Sequence, residues 1–109
     1  EGFWSIDSWM GPEPLIALYD AVTTGNTELA KKIYFDISPV MSDAKPNYSW
    51  RESAAKIAIR YAGYCDPGPL RPPFLEIPAT VDTAMKARAE RWQKLRAKYD
   101  GTAIKSAAE

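Results

Sequence analysis

Apolar positions recur along this chain at two different periods. Gly2-Phe3-Trp4-Ser5-Ile6 is a short aromatic and aliphatic run whose length suits a buried strand and is too brief for a stable helix. After Gly11-Pro12-Glu13-Pro14 the period changes to helical. Prolines are tolerated in a first helical turn, and Glu13 favours the positive end of the helix dipole. Leu15, Leu18, Tyr19 and Val22 then share a face, and Gly25-Asn26 ends the run with residues that accept a left-handed C-cap. Thr27 is the expected N-cap of a second helix carrying Leu29, Ile33, Ile37 and Val40, with Pro39 marking a kink or its end.

The polar stretch Ser42-Asp43-Ala44-Lys45-Pro46-Asn47 predicts a loop. Ser49 and Glu52 have capping-box spacing for a third helix over about 50–62, with Ala54, Ile57, Ala58 and Tyr61 on one face and Gly63 as its stop. Residues 63–79 hold five prolines and two glycines, which excludes regular structure and predicts a stiff, extended strap, with Phe74, Leu75 and Ile77 packed on a helical surface. Thr80 or Asp82 should cap the longest helix, whose Val81, Met85, Trp92, Leu95 and Tyr99 form a core stripe. The tail after Gly101 is small and polar and is expected to fray.

Composition narrows what such a chain can do. Its 109 residues suffice for one small core and not for a large self-contained enzyme. Lys and Arg total 14 against 14 Asp and Glu, without the basic excess of a nucleic-acid binder. The balance hides a split: residues 1–50 carry a net charge of −4 and residues 51–109 one of +4, which predicts two surfaces that face each other or a larger assembly. The start at Glu1, with neither a leader nor a long apolar run, is the expected pattern of an internal, cytoplasmic segment that does not enter a membrane.

The common catalytic vocabulary is sparse. With no histidine and the single Cys65, His-based catalysis, an internal disulfide and nearly all zinc-site patterns are excluded, and no metal site is expected. Cys65 lies in the strap without a histidine to activate it. Asp7, Glu13, Asp20, Glu28 and Asp36 fit caps and solvated faces better than a catalytic carboxylate pair. Lys31, Lys32 and Lys56 would be Schiff-base nucleophiles only if buried in an apolar pocket, and their positions in the helical pattern are exposed ones. Arg88, Arg91, Lys94, Arg96 and Lys98 make the last helix basic, which reads as a solvated face before it reads as a phosphate site. Trp9, Trp50 and Trp92 suit anchoring between helices. Trp4 differs, because it sits near the end of the expected strand, where ligands gather in α/β folds.

Phe3-Trp4, Pro12-Glu13-Pro14-Leu15, the Gly25 turn, Ala55-Lys56-Ile57-Ala58, Ala62-Gly63-Tyr64 and Leu70-Arg71-Pro72-Pro73-Phe74, in this order, carry a resemblance. The sequence resembles the C-terminal third of the dihydrodipicolinate synthase and N-acetylneuraminate lyase superfamily, most of all the hydratase-aldolases of aromatic degradation. The resemblance implies the last strand and helix of a (β/α)8 TIM barrel at 1–26, then a C-terminal helical region at 27–109, so that the segment is itself mostly α. It also implies a class I, metal-free pyruvate lyase without a cofactor, usually a homo-oligomer. Its partners would be the remainder of its own barrel, pyruvate and an aromatic aldehyde.

No residue here matches the family's Schiff-base lysine or its tyrosine, so the resemblance assigns no catalytic residue to this segment. It implies two substrate-binding positions. Trp4 matches the strand position beside the pyruvate adduct, where an indole would pack against a flat aromatic aldehyde; core packing is the plainer role. Arg51 falls where related enzymes place a polar side chain near the distal end of the substrate, and its guanidinium fork would suit a carboxylate there; pairing with an acid at an exposed helix start is the plainer role. Two other readings compete: another lyase or dehydratase of the superfamily, and a non-catalytic helical interaction module.

Overall fold

A computed structural model describes residues 5–42, 51–73 and 75–100, without the side chains of Ile6, Val40, Met41, Ser42 and Arg51. Four helices follow a 3-10 turn at Ile6–Met10: α1 at Glu13–Thr23, α2 at Thr27–Ser42, α3 at Arg51–Ala62 and α4 at Ala79–Lys98. There is no strand among the described residues. Ile6, the last residue of the expected strand, instead opens the 3-10 turn, while residues 2–4 lie outside the described set. The change of course is local. Ser5 is extended and its Oγ accepts from the Asp7 N–H at 3.3 Å, while the Ser8 hydroxyl donates to the Ser5 carbonyl at 2.9 Å.

The helix boundaries follow the pattern, with different caps. Asn26, not Thr27, caps α2, its Oδ1 accepting from the Leu29 N–H at 3.2 Å, while Gly25 takes the left-handed turn at φ +76°. α2 runs through Pro39 to Ser42, although proline has no N–H for the Phe35 carbonyl. α4 begins behind Pro78 without a side-chain cap, so neither Thr80 nor Asp82 serves there. Asp82 instead accepts from the Tyr61 hydroxyl at 2.8 Å, and Tyr61 lies on the surface rather than in the core. The Gln93 amide takes over the far end of α3, donating to the carbonyls of Ala62 at 2.9 Å and Tyr61 at 3.3 Å.

One core unites the helices: Leu15, Ala17 and Ala21 of α1, Ile33 and Ile37 of α2, Ala54, Ile57, Ala58 and Ala62 of α3, and Met85, Ala89 and Trp92 of α4. The expected stripe of α4 holds, with Ala89 added to it. On α1 the buried face is the one with the small residues, and Val22 is exposed. Small side chains let helices approach closely, which is why an alanine-lined face can win over one carrying valine. The strap is fixed by its backbone more than by its apolar residues. Lys56 Nζ donates to the Pro69 carbonyl at 2.8 Å, Arg60 to that of Gly68 at 3.2 Å, and Cys65 Sγ to that of Trp9 at 3.4 Å. Ile77 packs on the core, Leu75 is exposed, and Phe74 lies outside the described residues.

Trp92, with none of its surface exposed, donates its indole N–H to the Gly11 carbonyl at 2.9 Å. Gly11 has φ +123°, and a Cβ there would stand 2.1 Å from Arg96 Nε. Gly11→Ala should therefore destabilise the fold by more than the about 1–3 kcal/mol that such backbone strain costs alone. Trp92→Phe, which leaves the Gly11 carbonyl unpaired, should cost about 1–3 kcal/mol. Urea unfolding of both variants checks the order.

Candidate functional site

The residues that follow Trp4 are tied to α4 at three successive turns. Arg88 Nη2 meets Asp7 Oδ1 at 2.5 Å, Trp92 meets Gly11, and Arg96 grips Glu13 with Nε at 3.0 Å and Nη2 at 3.1 Å. Arg88, Trp92 and Arg96 are four residues apart and so share one helix face. The Asp7–Arg88 pair is largely buried, and the Arg88 Nε has no hydrogen-bond partner, so the pair is a single charge-assisted contact. Arg96 also lies over the Tyr64 ring at 5.1 Å. Further along, Lys98 Nζ reaches Asp36 Oδ2 at 2.6 Å, and the Tyr99 hydroxyl donates to the same oxygen.

These contacts explain the charge split. Three acidic residues of the first half each take a cation from α4, so the basic row is neither a wholly solvated face nor a free anion site. The Arg96 hydrogen bonds hold the Glu13 carboxyl below its usual range. Lys98 first, and then Tyr99, do the same for Asp36. Burial, reinforced by the bond to Asp36, pushes the Tyr99 hydroxyl upward.

Trp4 lies outside the described residues, as does Ser49 of the expected capping box. Arg51 is placed as the first residue of α3. Its side chain, like the whole of Trp4, lies outside what the structure describes, while the segment that follows Trp4 is fixed by the contacts above. The other candidates have structural partners. Cys65 and Lys56 hold backbone carbonyls, and Lys31 is exposed and paired with Glu28 at 3.7 Å. Lys32 is exposed too. None of these three lysines has the apolar burial that would make an amine a nucleophile. No group of metal-ligating side chains occurs among the described residues. No helix among them is long and apolar enough to cross a membrane. The ties from α4 to Asp7, Gly11 and Glu13 escaped the sequence reading, although the opposed charges of the two halves were their signal.

The lysines and the cysteine singled out from the sequence thus have structural roles or exposed positions among the described residues, and a known structure shows the same shape. The chain superposes on part of PhdJ bound to a substrate intermediate, with a TM-score of 0.72 and 20% identity, over 85% of this chain and 31% of that one. That likeness is one of fold. No family model matches the chain. In sequence it is 32% identical over 107 residues to the trans-2'-carboxybenzalpyruvate hydratase-aldolase of Nocardioides sp. (strain KP7), covering 91% of this chain and 32% of that enzyme. It is 30% identical over 107 residues to the trans-O-hydroxybenzylidenepyruvate hydratase-aldolases of Pseudomonas aeruginosa and Pseudomonas putida, covering 89% of this chain and 32% of each. The chain is thus a homologue of the hydratase-aldolases, and it spans about a third of the length of the curated relatives it matches.

The depressed carboxyls set a direction for stability against pH. Glu13 and Asp36 lie below their ordinary values of 4.5 and 3.8, so their contribution is present above those values and is lost as pH falls through the lower, folded ones. A double Glu13→Gln, Asp36→Asn variant should be less stable at neutral pH and show a flatter loss of stability on acidification, read by thermal unfolding across the acid range.

Proposed function

We propose that these residues are the C-terminal portion of a class I pyruvate hydratase-aldolase that converts an aromatic benzylidenepyruvate-type substrate to an aromatic aldehyde and pyruvate. The observation that carries this reading is the 32% identity across 91% of the chain to an enzyme of that type. In the whole enzyme, residues 1–26 close a TIM barrel and residues 27–109 form the helical region packed on it, in a cytoplasmic homo-oligomer. A lysine outside this segment forms an imine with the keto acid. Water adds across the conjugated double bond, and the carbon-carbon bond then breaks in the retro-aldol sense, releasing the aldehyde and leaving pyruvate on the lysine as its enamine, which is protonated and hydrolysed. The exposed or carbonyl-bound state of Lys31, Lys32 and Lys56 supports placing that lysine elsewhere.

The segment's part is to shape the distal pocket. Trp4 offers a flat apolar wall to the aldehyde ring and excludes water from the imine. Arg51, opening α3, offers a guanidinium fork to a carboxylate on that ring. That the relative from Nocardioides is named for a carboxylated substrate supports this assignment.

Borohydride reduction of the whole enzyme in the presence of pyruvate should trap one adduct, mapped by peptide mass to a lysine outside residues 1–109; an adduct on Lys31, Lys32 or Lys56 would overturn the reading. Arg51→Ala should raise KM for a carboxylated substrate by roughly tenfold or more, with kcat little changed, as expected for a lost charge-assisted contact. An equal rise for the uncarboxylated analogue would remove Arg51 from the site.

A further inference from the structure

Two ion pairs tie the start of the chain to α4, and they differ in how far they are removed from water. The side chains of Asp7 and Arg88 are 7% and 18% exposed, those of Glu13 and Arg96 31% and 25%. The first pair also leaves the buried Arg88 Nε without a hydrogen-bond partner, whereas Arg96 meets Glu13 with two nitrogens. A buried ion pair with one hydrogen bond gains little stability over an apolar contact of the same size, because desolvation of both charges offsets their attraction. What it supplies is direction: an apolar contact can slide, while a charge-assisted hydrogen bond fixes one atom against another. Asp7 passes that constraint back along the chain. Its N–H donates to Ser5 Oγ at 3.3 Å, and the Ser8 hydroxyl donates to the Ser5 carbonyl at 2.9 Å, so two atoms of Ser5 are held from the turn. Ser5 is the residue bonded to Trp4. The other ties act further on: Cys65 on the Trp9 carbonyl, Trp92 on the Gly11 carbonyl, and Arg96 on Glu13 inside α1. Among the described residues, Asp7 is thus the point at which α4 grips the turn nearest in sequence to Trp4.

We infer that Asp7 and Arg88 are positioning residues for the wall of the distal pocket: Arg88 holds Asp7, Asp7 holds Ser5, and the backbone at Ser5 sets where Trp4 meets the ring of an aromatic aldehyde. This role rests on the functional reading above, and it adds to that reading two residues that touch neither the substrate nor the reacting lysine. The consequence is a split between two halves of the reaction. Imine and enamine formation with pyruvate needs the lysine and not the wall, so loosening the pair leaves that half in place. Capture of the aldehyde needs the wall at its proper distance, and a misplacement of about 1 Å is enough to lower such a step by up to roughly a hundredfold. A pair that served stability alone would act on both halves alike, through the fraction of enzyme that is folded.

The test uses the whole enzyme and two readouts. Exchange of the pyruvate methyl protons for deuterium in heavy water reports the imine and enamine alone, while condensation of pyruvate with benzaldehyde or 2-carboxybenzaldehyde reports the wall as well. Arg88→Met should raise KM for the aldehyde roughly tenfold, and Asp7→Asn about threefold or more, with methyl exchange within about twofold of the unaltered enzyme. Arg88→Lys, which keeps a cationic donor for Asp7, should recover most of the loss. Arg96→Met is the reference: it removes an ion pair on the same helix face beyond the turn, and should lower the unfolding temperature without the kinetic split. Parallel loss of exchange and condensation, an unchanged aldehyde KM in the folded variants, or the same split in Arg96→Met would overturn the positioning role. Asp7→Asn preserves the shape of the side chain, so the test stands if Arg88→Met fails to fold. An unaltered enzyme that exchanges no pyruvate protons would overturn the functional reading, and the positioning role with it. Exchange in every variant without a change in aldehyde KM would overturn the positioning role alone.

Discussion

Much of this structure depends on one face of one helix. Arg88, Trp92 and Arg96 recur every fourth residue of α4 and take hold, in order, of Asp7, Gly11 and Glu13. The tryptophan makes the centre of that contact apolar and fully buried, while the two arginines on either side neutralise acids that would otherwise be costly to bury. Lys98 and Tyr99 extend the same logic to Asp36 on α2. A chain of zero formal net charge is in this way held together by the opposition of its halves.

The consequence for function is positional. The 3-10 turn that follows Trp4 is held at Asp7, at Gly11 and, through Cys65 and Trp9, by the strap. The pocket role proposed for Trp4 would need such support, because small displacements of a wall are felt at reacting atoms. The described residues with chemical potential, Lys56, Cys65 and the acids paired with α4, are occupied in building that support.

Helix positions were legible because a 3.6-residue period and its punctuation are local. Pro12 and Pro14 mark a start, and Gly25 and Gly63 mark stops. Caps were less legible, since several residues compete for each: Asn26 outdid Thr27, and Pro78 preceded both Thr80 and Asp82. Which face of α1 would be buried depended on how closely its neighbours approach, and the alanines permit the closer packing. Tyr61 read as core because an aromatic ring at helical spacing cannot announce that Asp82 will take its hydroxyl at the surface.

By itself, the sequence determined the helical periods, the stiff proline strap, the absence of histidine chemistry and the opposed charges of the two halves, all of which follow from residue type and spacing along the chain. It also carried the resemblance to hydratase-aldolases, because that lies in the order of short motifs. Only the tertiary structure decided which acid meets which base, because Asp7 and Arg88 are 81 residues apart and spacing at that range says nothing about contact. It alone showed that position 11 takes φ +123° and that a side chain there would displace Arg96, brought in from the other end of the chain.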